Sequence, residues 1–194
     1  MSLILSPSAG YKSNAYIHTQ AGRFYADRPT WDVHAIAHAL AQTARYRGNS
    51  DEFYSVAEHS VLVSLLMQEV TGGDPYEGLF HDATESVLPD VSSPFKQLFP
   101  DLRAVDKRFD LDLRQALKLP LEKSQACARA DWLALFIESA QILPERGSDF
   151  EDPYNFRKEA LKLREQGGWR IACLDWRSAK EAFLERLAEL KGQA

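Results

Sequence analysis

The sequence predicts one all-α domain with a small β-hairpin near its N-terminal end, and three observations support this fold class. Apolar residues recur at helical spacing over most of residues 31–191, which favours a helical bundle. Residues 16–28 instead fit two short strands around a glycine-containing turn. The length of 194 residues suits one domain, and no repeat or linker divides the chain. Residues 1–15 lack a pattern, so we expect them to be loosely held.

The composition and the charge indicate which kinds of molecule the protein can bind. Hydrophobic residues make up 45% and charged residues 26% of the chain, as in an ordinary globular protein. The formal net charge is −5, and the basic residues form no block. Because tight binding to a polyanion needs many basic contacts with phosphates, we do not expect a long nucleic acid as the main partner. A small phosphorylated molecule held by a few basic residues is compatible with this charge.

The cysteines and the apolar segments indicate a cytoplasmic protein. The two cysteines, Cys127 and Cys173, do not lie in a CxxC motif, which fits a reducing compartment. No apolar run reaches about 18 residues, so no membrane span is predicted. The N-terminal residues do not combine a basic leader with a cleavage site. We therefore expect a cytoplasmic location and no membrane partner.

The first three predicted helices have recognisable boundaries. The helix over residues 31–46 ends near Gly48, a typical C-terminal residue. The second helix begins at Ser55, which a glutamate follows three residues later as in a capping box. Apolar residues surround this helix so completely that we expect it to be central and buried. The third helix begins at Asp74, with a proline at its first position, and ends before Pro89.

Four further helices follow in the rest of the chain. Their predicted ranges are 101–118, 121–143, 153–165 and 175–190. Asp131 lies inside the apolar stripe of the second of these helices. A carboxylate in the middle of a mostly apolar helix needs a partner, because burial of an unpaired charge is costly.

Residues 79–85 place an imidazole beside a carboxylate, with a second carboxylate one helical turn later. On a helix, positions three and four apart share a face, so His81, Asp82 and Glu85 can converge on one point. The apolar neighbours indicate that this group faces the interior, where ionisable groups pair or bind metal. A chance dipeptide, with His81 in the core and Asp82 in solvent, is the alternative interpretation of this segment alone.

Two other predicted helices contribute residues of the same type. His59 lies one turn inside the second helix, and Asp131 lies in the fifth. Together with His81 and Asp82 they provide two imidazoles and two carboxylates. Such a set suits a divalent transition metal ion with coordination positions left for water and substrate. The joint pattern therefore favours a metal-centred hydrolytic site.

The order of these residues resembles that of the HD-domain phosphohydrolases, in which a histidine, a His-Asp pair and a later aspartate lie on separate helices. Residues 53–60, 81–85 and 90–96 are similar to the members of this family that hydrolyse nucleotides. That subgroup includes bacterial 5′-deoxynucleotidases, and phage and antibiotic-pathway enzymes that act on dATP or related nucleoside triphosphates. The similar blocks run over residues 36–143, most of the chain, and imply one HD domain over residues 1–194.

The resemblance implies a divalent-metal-dependent phosphohydrolase of deoxynucleotides or nucleotides, either a dNTP triphosphohydrolase or a 5′-nucleotidase. It makes His59, His81, Asp82 and Asp131 the ligands of one metal ion, with Mn, Co, Zn, Mg, Ni and Fe as candidates. Asp82 and Glu85 are the implied catalytic residues, and Glu85 works with the nucleophilic water or its proton transfer. Related nucleotidases are often dimers, so a homodimer is compatible with the resemblance.

Four residues are implied to bind the nucleotide substrate. Arg45 and Lys96 correspond to phosphate-binding residues, and Asp90 corresponds to a residue near the 3′ side of the sugar. Tyr46 stands where the monophosphate nucleotidases carry a tryptophan against the nucleoside, so the base and sugar preference stays open. The short connection between the first histidine and the His-Asp pair favours the triphosphate-type relatives.

Three other interpretations stay open. Other HD-domain proteins hydrolyse cyclic nucleotides or (p)ppGpp, but we do not recognise here the extra motifs usual in them. A non-catalytic nucleotide sensor is the second, although a degenerate sensor is expected to have lost a ligand or Glu85. A purely structural helical protein is the third, and it leaves Asp82, Glu85 and Asp131 in apolar helices without a role.

Overall fold

Helices dominate the structure, a computed structural model that describes residues 15–88, Val91 and 98–192. The helices are α1 (Val33–Gln42), α2 (Val56–Leu66), α3 (Pro75–Phe80), α4 (Pro100–Ala116), α5 (Gln125–Ile142), α6 (Phe156–Gly167) and α7 (Trp176–Gly192). Short 3-10 turns cover Arg45–Gly48 and Ala83–Ser86, and a π turn, Met67–Thr71, extends α2. The prediction of a mostly helical chain with a small hairpin near its N-terminal end is thus confirmed for the described residues.

The hairpin attaches to the helical body through one aromatic group. Strand β1 (Tyr16–Thr19) runs antiparallel to β2 (Gly22–Tyr25). Phe24 of β2 is buried, and its ring lies next to those of Trp31 and Phe109. Because Phe109 belongs to α4, this contact fixes the hairpin against that helix.

Helix α2 is buried along most of its length, as its apolar sequence predicts. Ser55 caps it by accepting a hydrogen bond from the backbone N–H of Glu58, 3.1 Å away. Glu58 does not complete the predicted capping box, because its carboxylate accepts the backbone N–H groups of residues 172–174. This buried carboxylate thereby ties the segment before α7 to the start of α2.

Helix α2 lies at the centre of four other helices. Helices α1, α3, α5 and α7 pack against it, and α6 packs against α5. One group of buried apolar residues joins α1, α3 and α7 to the start of α2, and a second joins α5 and α6 to its end. His59 lies between these two groups and is completely buried.

Gly78 allows α3 to approach α2 closely. A Cβ atom at this position would lie 2.7 Å from Met67 Sδ and 2.9 Å from Ser64 Cα. The second contact is with the backbone of α2, so a larger residue here would push the two helices apart. The close approach brings the end of α3, and with it His81, against α2.

The helix predicted through His81 and Asp82 is interrupted. Helix α3 ends at Phe80, and Asp82 has left the helical region (φ −109°, ψ 17°) before the 3-10 turn begins. The carbonyl of Gly78 would accept the N–H of Asp82 in a continuing helix, but it lies 2.8 Å from His81 Nδ1. The prediction of one helical face is therefore wrong, because a side chain competes for this backbone carbonyl.

The first predicted helix is also shorter than expected. Helix α1 ends at Gln42, and Tyr46 and Arg47 adopt left-handed conformations with φ values of 53° and 54°. The chain leaves the helix where the backbone N–H of Arg45 donates to the carbonyl of Tyr54, 2.8 Å away. This link places residues 45 and 46 beside the start of α2.

The later helices lie close to their predicted ranges. Helix α5 begins after Ser124, whose hydroxyl accepts the N–H of Cys127. Gly168, with φ 67°, ends α6, and Asp175 accepts the N–H of Arg177 at the start of α7. Across the part of the chain that the structure describes, no helix combines the length and the apolarity needed to cross a membrane.

Candidate metal centre

Four side chains from three parts of the chain meet beside α2. His59 projects from α2, His81 and Asp82 occupy the turn after α3, and Asp131 lies in α5. They meet because α3 and α5 both pack on α2. The structure thus brings together the four residues that the sequence analysis assigns to a metal ion.

The polar atoms of these side chains are separated like ligands around one ion. His59 Nε2 lies 3.2 Å from His81 Nε2. The same atom lies 3.5 Å from Asp82 Oδ2 and 3.3 Å from Asp131 Oδ1. His81 Nε2 lies 3.2 Å and 3.7 Å from those two oxygens. Ligands about 2.0–2.2 Å from one ion stand roughly 2.8–3.6 Å apart at adjacent vertices of an octahedron or tetrahedron.

His59, His81 and Asp131 form the core of this group. Their ligand atoms all lie within 4.8 Å of one another, so the three residues could hold a metal ion. Asp82 adds a carboxylate oxygen that contacts both imidazoles. Nitrogen and carboxylate oxygen are donors that divalent transition ions accept.

Both imidazoles are held in the tautomer that a metal ligand needs. His59 Nδ1 lies 2.6 Å from Glu138 Oε1, and His81 Nδ1 lies 2.8 Å from the carbonyl of Gly78. Because an ionised carboxylate and a carbonyl only accept hydrogen bonds, each Nδ1 carries the proton and donates it. With Nδ1 protonated, Nε2 of each ring faces the cluster and is the atom that can bind an added cation. Two unprotonated Nε2 atoms 3.2 Å apart would repel each other, so the geometry favours a cation beside them, either a proton or a metal ion.

Glu138 is a buried carboxylate that the sequence analysis did not identify. It lies on α5, seven residues after Asp131, and is completely buried. Besides His59, it accepts the hydroxyl groups of Tyr46 at 2.8 Å and Tyr54 at 3.0 Å. Seven residues are about two helical turns, so the two acids lie on the same side of α5. That spacing is the sequence signal that could have identified Glu138.

Arg45 and Tyr46 are directed at this buried carboxylate. Arg45 Nε lies 3.2 Å from Glu138 Oε2, and its Nη1 lies 3.8 Å from Asp82 Oδ2. Burial acts to lower the pKa of Arg45, but the nearby carboxylates outweigh it and hold that pKa well above its usual value. The structure therefore places both residues at the metal cluster, and their contacts with phosphate and nucleoside stay predictions.

The electrostatics of the cluster favour an added positive charge. Burial and Arg45 act to lower the pKa of His59, but the neighbouring carboxylates outweigh both and raise this pKa to about 10. Burial also acts to raise the pKa values of Asp82 and Asp131, whereas their contacts with the imidazoles hold both well below the usual range. The same carboxylates that retain a proton on His59 would attract a metal ion in its place.

Lys123 is a second residue that the sequence analysis missed. Its Nζ lies 2.6 Å from Asp131 Oδ2, while Asp131 Oδ1 faces the imidazoles. Burial acts to lower the pKa of Lys123, but Asp131 outweighs it and raises that pKa above its usual value. The neighbouring residue, Ser124, donates its N–H to the buried carboxylate of Glu77 at 2.9 Å, which fixes this end of α5.

An open cavity of about 600 Å³ adjoins the cluster. His81, Asp82 and Lys123 line it, and so does Glu85 from the 3-10 turn Ala83–Ser86. The interruption after α3 therefore still leaves Glu85 on the same cavity as the His-Asp pair. The cluster is accessible to a small molecule from this side.

Two of the predicted substrate-binding residues lie outside the part of the chain that the structure describes. These are Asp90, assigned to the sugar, and Lys96, assigned to a phosphate. Both assignments stay predictions from the resemblance to the HD-domain enzymes.

Comparison with known proteins identifies relatives of this chain. No family model matches the sequence. The uncharacterized protein YfdR of Escherichia coli is 33% identical over 138 residues, which cover 69% of this chain and 76% of YfdR. An uncharacterized protein of Rhodobacter capsulatus is 32% identical over 154 residues, with 69% of this chain and 76% of the relative covered. The chain therefore belongs to the same protein family as YfdR.

Proposed function

We propose that the protein is an HD-domain phosphohydrolase that uses one divalent metal ion and acts on deoxynucleotides or nucleotides. The observation that carries this proposal is the cluster of two imidazole Nε2 atoms and two carboxylate oxygens, in which acceptors already engage both Nδ1 atoms. This set of nitrogen and oxygen donors suits Mn²⁺, Co²⁺, Zn²⁺, Ni²⁺ or Fe²⁺, and Mg²⁺ is a further candidate. The order of the residues along the chain supports the HD-domain assignment.

The position of the cluster supports a catalytic rather than a structural metal. Structural sites are closed by protein ligands, whereas catalytic sites keep a coordination position open. His81 and Asp82 line a cavity of about 600 Å³, so a small molecule can reach the cluster. This volume lies in the range of about 300–1,000 Å³ that is usual for small-molecule sites.

The four residues of the cluster would hold the metal, and Glu138 would support them. A bound divalent ion would supply Lewis acidity that polarises a phosphoryl oxygen and acidifies water. His59, His81, Asp82 and Asp131 are the residues that would bind it. Through its hydrogen bond to Nδ1, Glu138 keeps His59 in the tautomer that presents Nε2 to the metal.

Glu85 is the proton-transfer group in this proposal. It lines the cavity together with the His-Asp pair, where it can orient a water molecule, accept its proton or protonate the leaving oxygen. In the reaction, a water oxygen bonds to phosphorus, the ester bond between phosphorus and oxygen breaks, and a proton goes to the leaving oxygen. The charges of Arg45 and Lys123 beside the cluster offset part of the negative charge on the phosphate.

An activity assay tests this proposal. The purified protein is stripped of metal, supplied with Mn²⁺, Co²⁺, Zn²⁺ or Mg²⁺, and incubated with dNMPs, dNTPs, cyclic nucleotides and (p)ppGpp. Phosphate released from a dNMP, or tripolyphosphate released from a dNTP, supports the proposal. Turnover of cyclic nucleotides or (p)ppGpp alone would favour another HD-domain activity. Nucleotide binding without turnover under any metal would contradict the proposal and favour a sensor.

A further inference from the structure

We propose that the cavity beside the metal cluster binds a polyphosphate chain, and that Arg103 and Lys107 of α4 hold the phosphates beyond the one that is attacked. The preferred substrate is then a nucleoside triphosphate rather than a monophosphate. This inference rests on the proposed function, because it assigns the substrate class of the same site.

Arg103 and Lys107 share a cavity with the metal cluster. Both side chains line it together with His81 and Asp82. Helix α4 also packs against the 3-10 turn that carries Glu85, so the helix and the turn form adjoining parts of the wall. A ligand bound at the cluster can therefore extend along α4 without leaving the cavity.

Arg103 and Lys107 differ from the other two cations that line this cavity. Lys123 and Arg114 both form ion pairs with aspartates. Within the described residues, Arg103 and Lys107 form no ion pair. They are four residues apart on one helix, where like charges share a face and repel each other. An anion bound between them would replace this repulsion by attraction.

The acidic residues of the cavity do not pair with these two cations. Glu85 and Asp106 line the cavity, and each interacts with a group other than Arg103 and Lys107. Asp110 accepts the Nε–H of Arg114 through both of its oxygens, at 3.0 Å each. Arg103 and Lys107 are therefore available to an anion in the cavity, in a chain whose formal net charge is −5.

A nucleoside monophosphate would make few contacts with Arg103 and Lys107. A single phosphate at the cluster would already lie beside Lys123. A second and a third phosphate would extend away from the metal and would need further positive charge, which guanidinium and ammonium groups supply through strong hydrogen bonds. The volume of about 600 Å³ leaves space for such a chain.

The chemistry is the same for both substrate classes, since the same bond is cleaved. The water oxygen bonds to the α-phosphorus, the bond from that phosphorus to the 5′ oxygen breaks, and the nucleoside leaves after its oxygen gains a proton. The other product of a triphosphate is tripolyphosphate. Because the distal phosphates do not react, Arg103 and Lys107 would bind the ground state and the transition state alike, and their loss would raise KM more than it lowers kcat.

The kinetic test compares two double variants that each remove two positive charges. Arg103→Ala/Lys107→Ala removes the pair on α4, and Lys158→Ala/Lys162→Ala removes an exposed pair with the same spacing on α6. We expect the α4 variant to raise KM for dATP by about tenfold or more, and to lower the ratio of kcat/KM for dATP to that for dAMP accordingly. The α6 variant should behave like the wild type.

A binding measurement tests the same inference without catalysis. Calorimetry on the metal-free protein compares inorganic tripolyphosphate with orthophosphate. The wild type and the α6 variant should bind tripolyphosphate about tenfold more tightly than orthophosphate, and the α4 variant should lose this preference. Equal affinity of the wild type for both anions would overturn the inference, whatever the activity assay shows.

The outcomes separate this inference from the proposed function. Hydrolysis of dAMP but not of dATP would overturn the inference and leave the proposed function standing. Release of orthophosphate or pyrophosphate from dATP would overturn the assignment of the distal phosphates to α4. No turnover of any nucleotide would overturn the proposed function, and the tripolyphosphate measurement would then decide whether the wall of α4 binds polyphosphate at all.

Discussion

The inner and outer parts of the candidate site differ in how their charged groups are held. In the inner part, His59 and Glu138 are completely buried and joined by a hydrogen bond of 2.6 Å, and two tyrosine hydroxyls also donate to the glutamate. In the outer part, Glu85 is half-buried, and the side chains of Arg103 and Lys107 are exposed along the cavity.

This difference separates two tasks. A buried charge must keep its hydrogen bonds, because each bond lost inside the protein is costly, so the inner part has one arrangement and suits a fixed metal geometry. Exposed charges can rearrange around different anions, so the outer part suits recognition of a phosphate chain. Substitutions in the inner part should therefore alter metal affinity, whereas those in the outer part should alter turnover and substrate preference.

The largest effect is expected from the loss of a ligand. Asp82→Ala removes the carboxylate oxygen 3.2 Å from His81 Nε2, and we expect binding of Mn²⁺ and metal-dependent activity to be abolished. Calorimetric titration with Mn²⁺ measures the binding. Asp149→Ala, at an exposed aspartate, is the matched control and should bind like the wild type. Wild-type metal affinity in Asp82→Ala would contradict the ligand set.

The next effect distinguishes the outer part from the inner part. Glu85→Gln should keep the metal but lower kcat by about 10²–10⁴-fold, because the amide cannot accept a proton from water. Metal content and steady-state kinetics together measure this separation. Glu151→Gln, at an exposed glutamate, controls for the loss of one negative charge. Full activity of Glu85→Gln would show that its assigned role is wrong.

A smaller effect is expected when the support of His59 is weakened. Glu138→Gln preserves the shape of the side chain but removes its charge, and we expect metal affinity to fall roughly 10–100-fold. Tyr54→Phe keeps that charge and removes one donor to it, so its effect on metal affinity should be smaller. Titrations of both variants with Mn²⁺ test this order. Unchanged metal affinity in Glu138→Gln would show that the charge of Glu138 does not strengthen metal binding through His59.

A last effect concerns stability rather than metal binding, and it is a pH dependence of the free energy of unfolding in the metal-free protein. The pKa of His59 is raised to about 10, so above pH 6.5 the folded state holds a proton that the unfolded state releases. Stability from this group is complete below pH 6.5 and is lost as the pH rises through 10, by at most about 1.4 kcal/mol per pH unit. Urea unfolding in EDTA between pH 6.5 and 10 measures the slope. If the free energy of unfolding of His59→Asn has the same pH dependence as that of the wild type, another group is responsible for it.

Helix starts and cluster residues could be predicted because their signals are local. The caps at Ser55 and Asp74 each act within one helical turn, and both are present in the structure. His59 and Asp131 were recognisable because ionisable residues in apolar helices need partners. Lys123 carried no such signal, since its interaction with Asp131 depends on how the segment before α5 folds back.

By itself, the sequence determined the helical fold class, the small hairpin and the residue types that meet at the cluster. These features follow from the spacing of apolar and polar residues along the chain, a pattern that can be recognised within a few residues. Only the tertiary structure decided the tautomer of His59 and the charged wall of α4, because these depend on contacts between residues far apart in the chain, as in the hydrogen bonds of Glu138 with Tyr46, Tyr54 and His59. The turn at the His-Asp pair involves a contact between Gly78 and His81, only three residues apart, but residue spacing does not reveal which acceptor an imidazole takes.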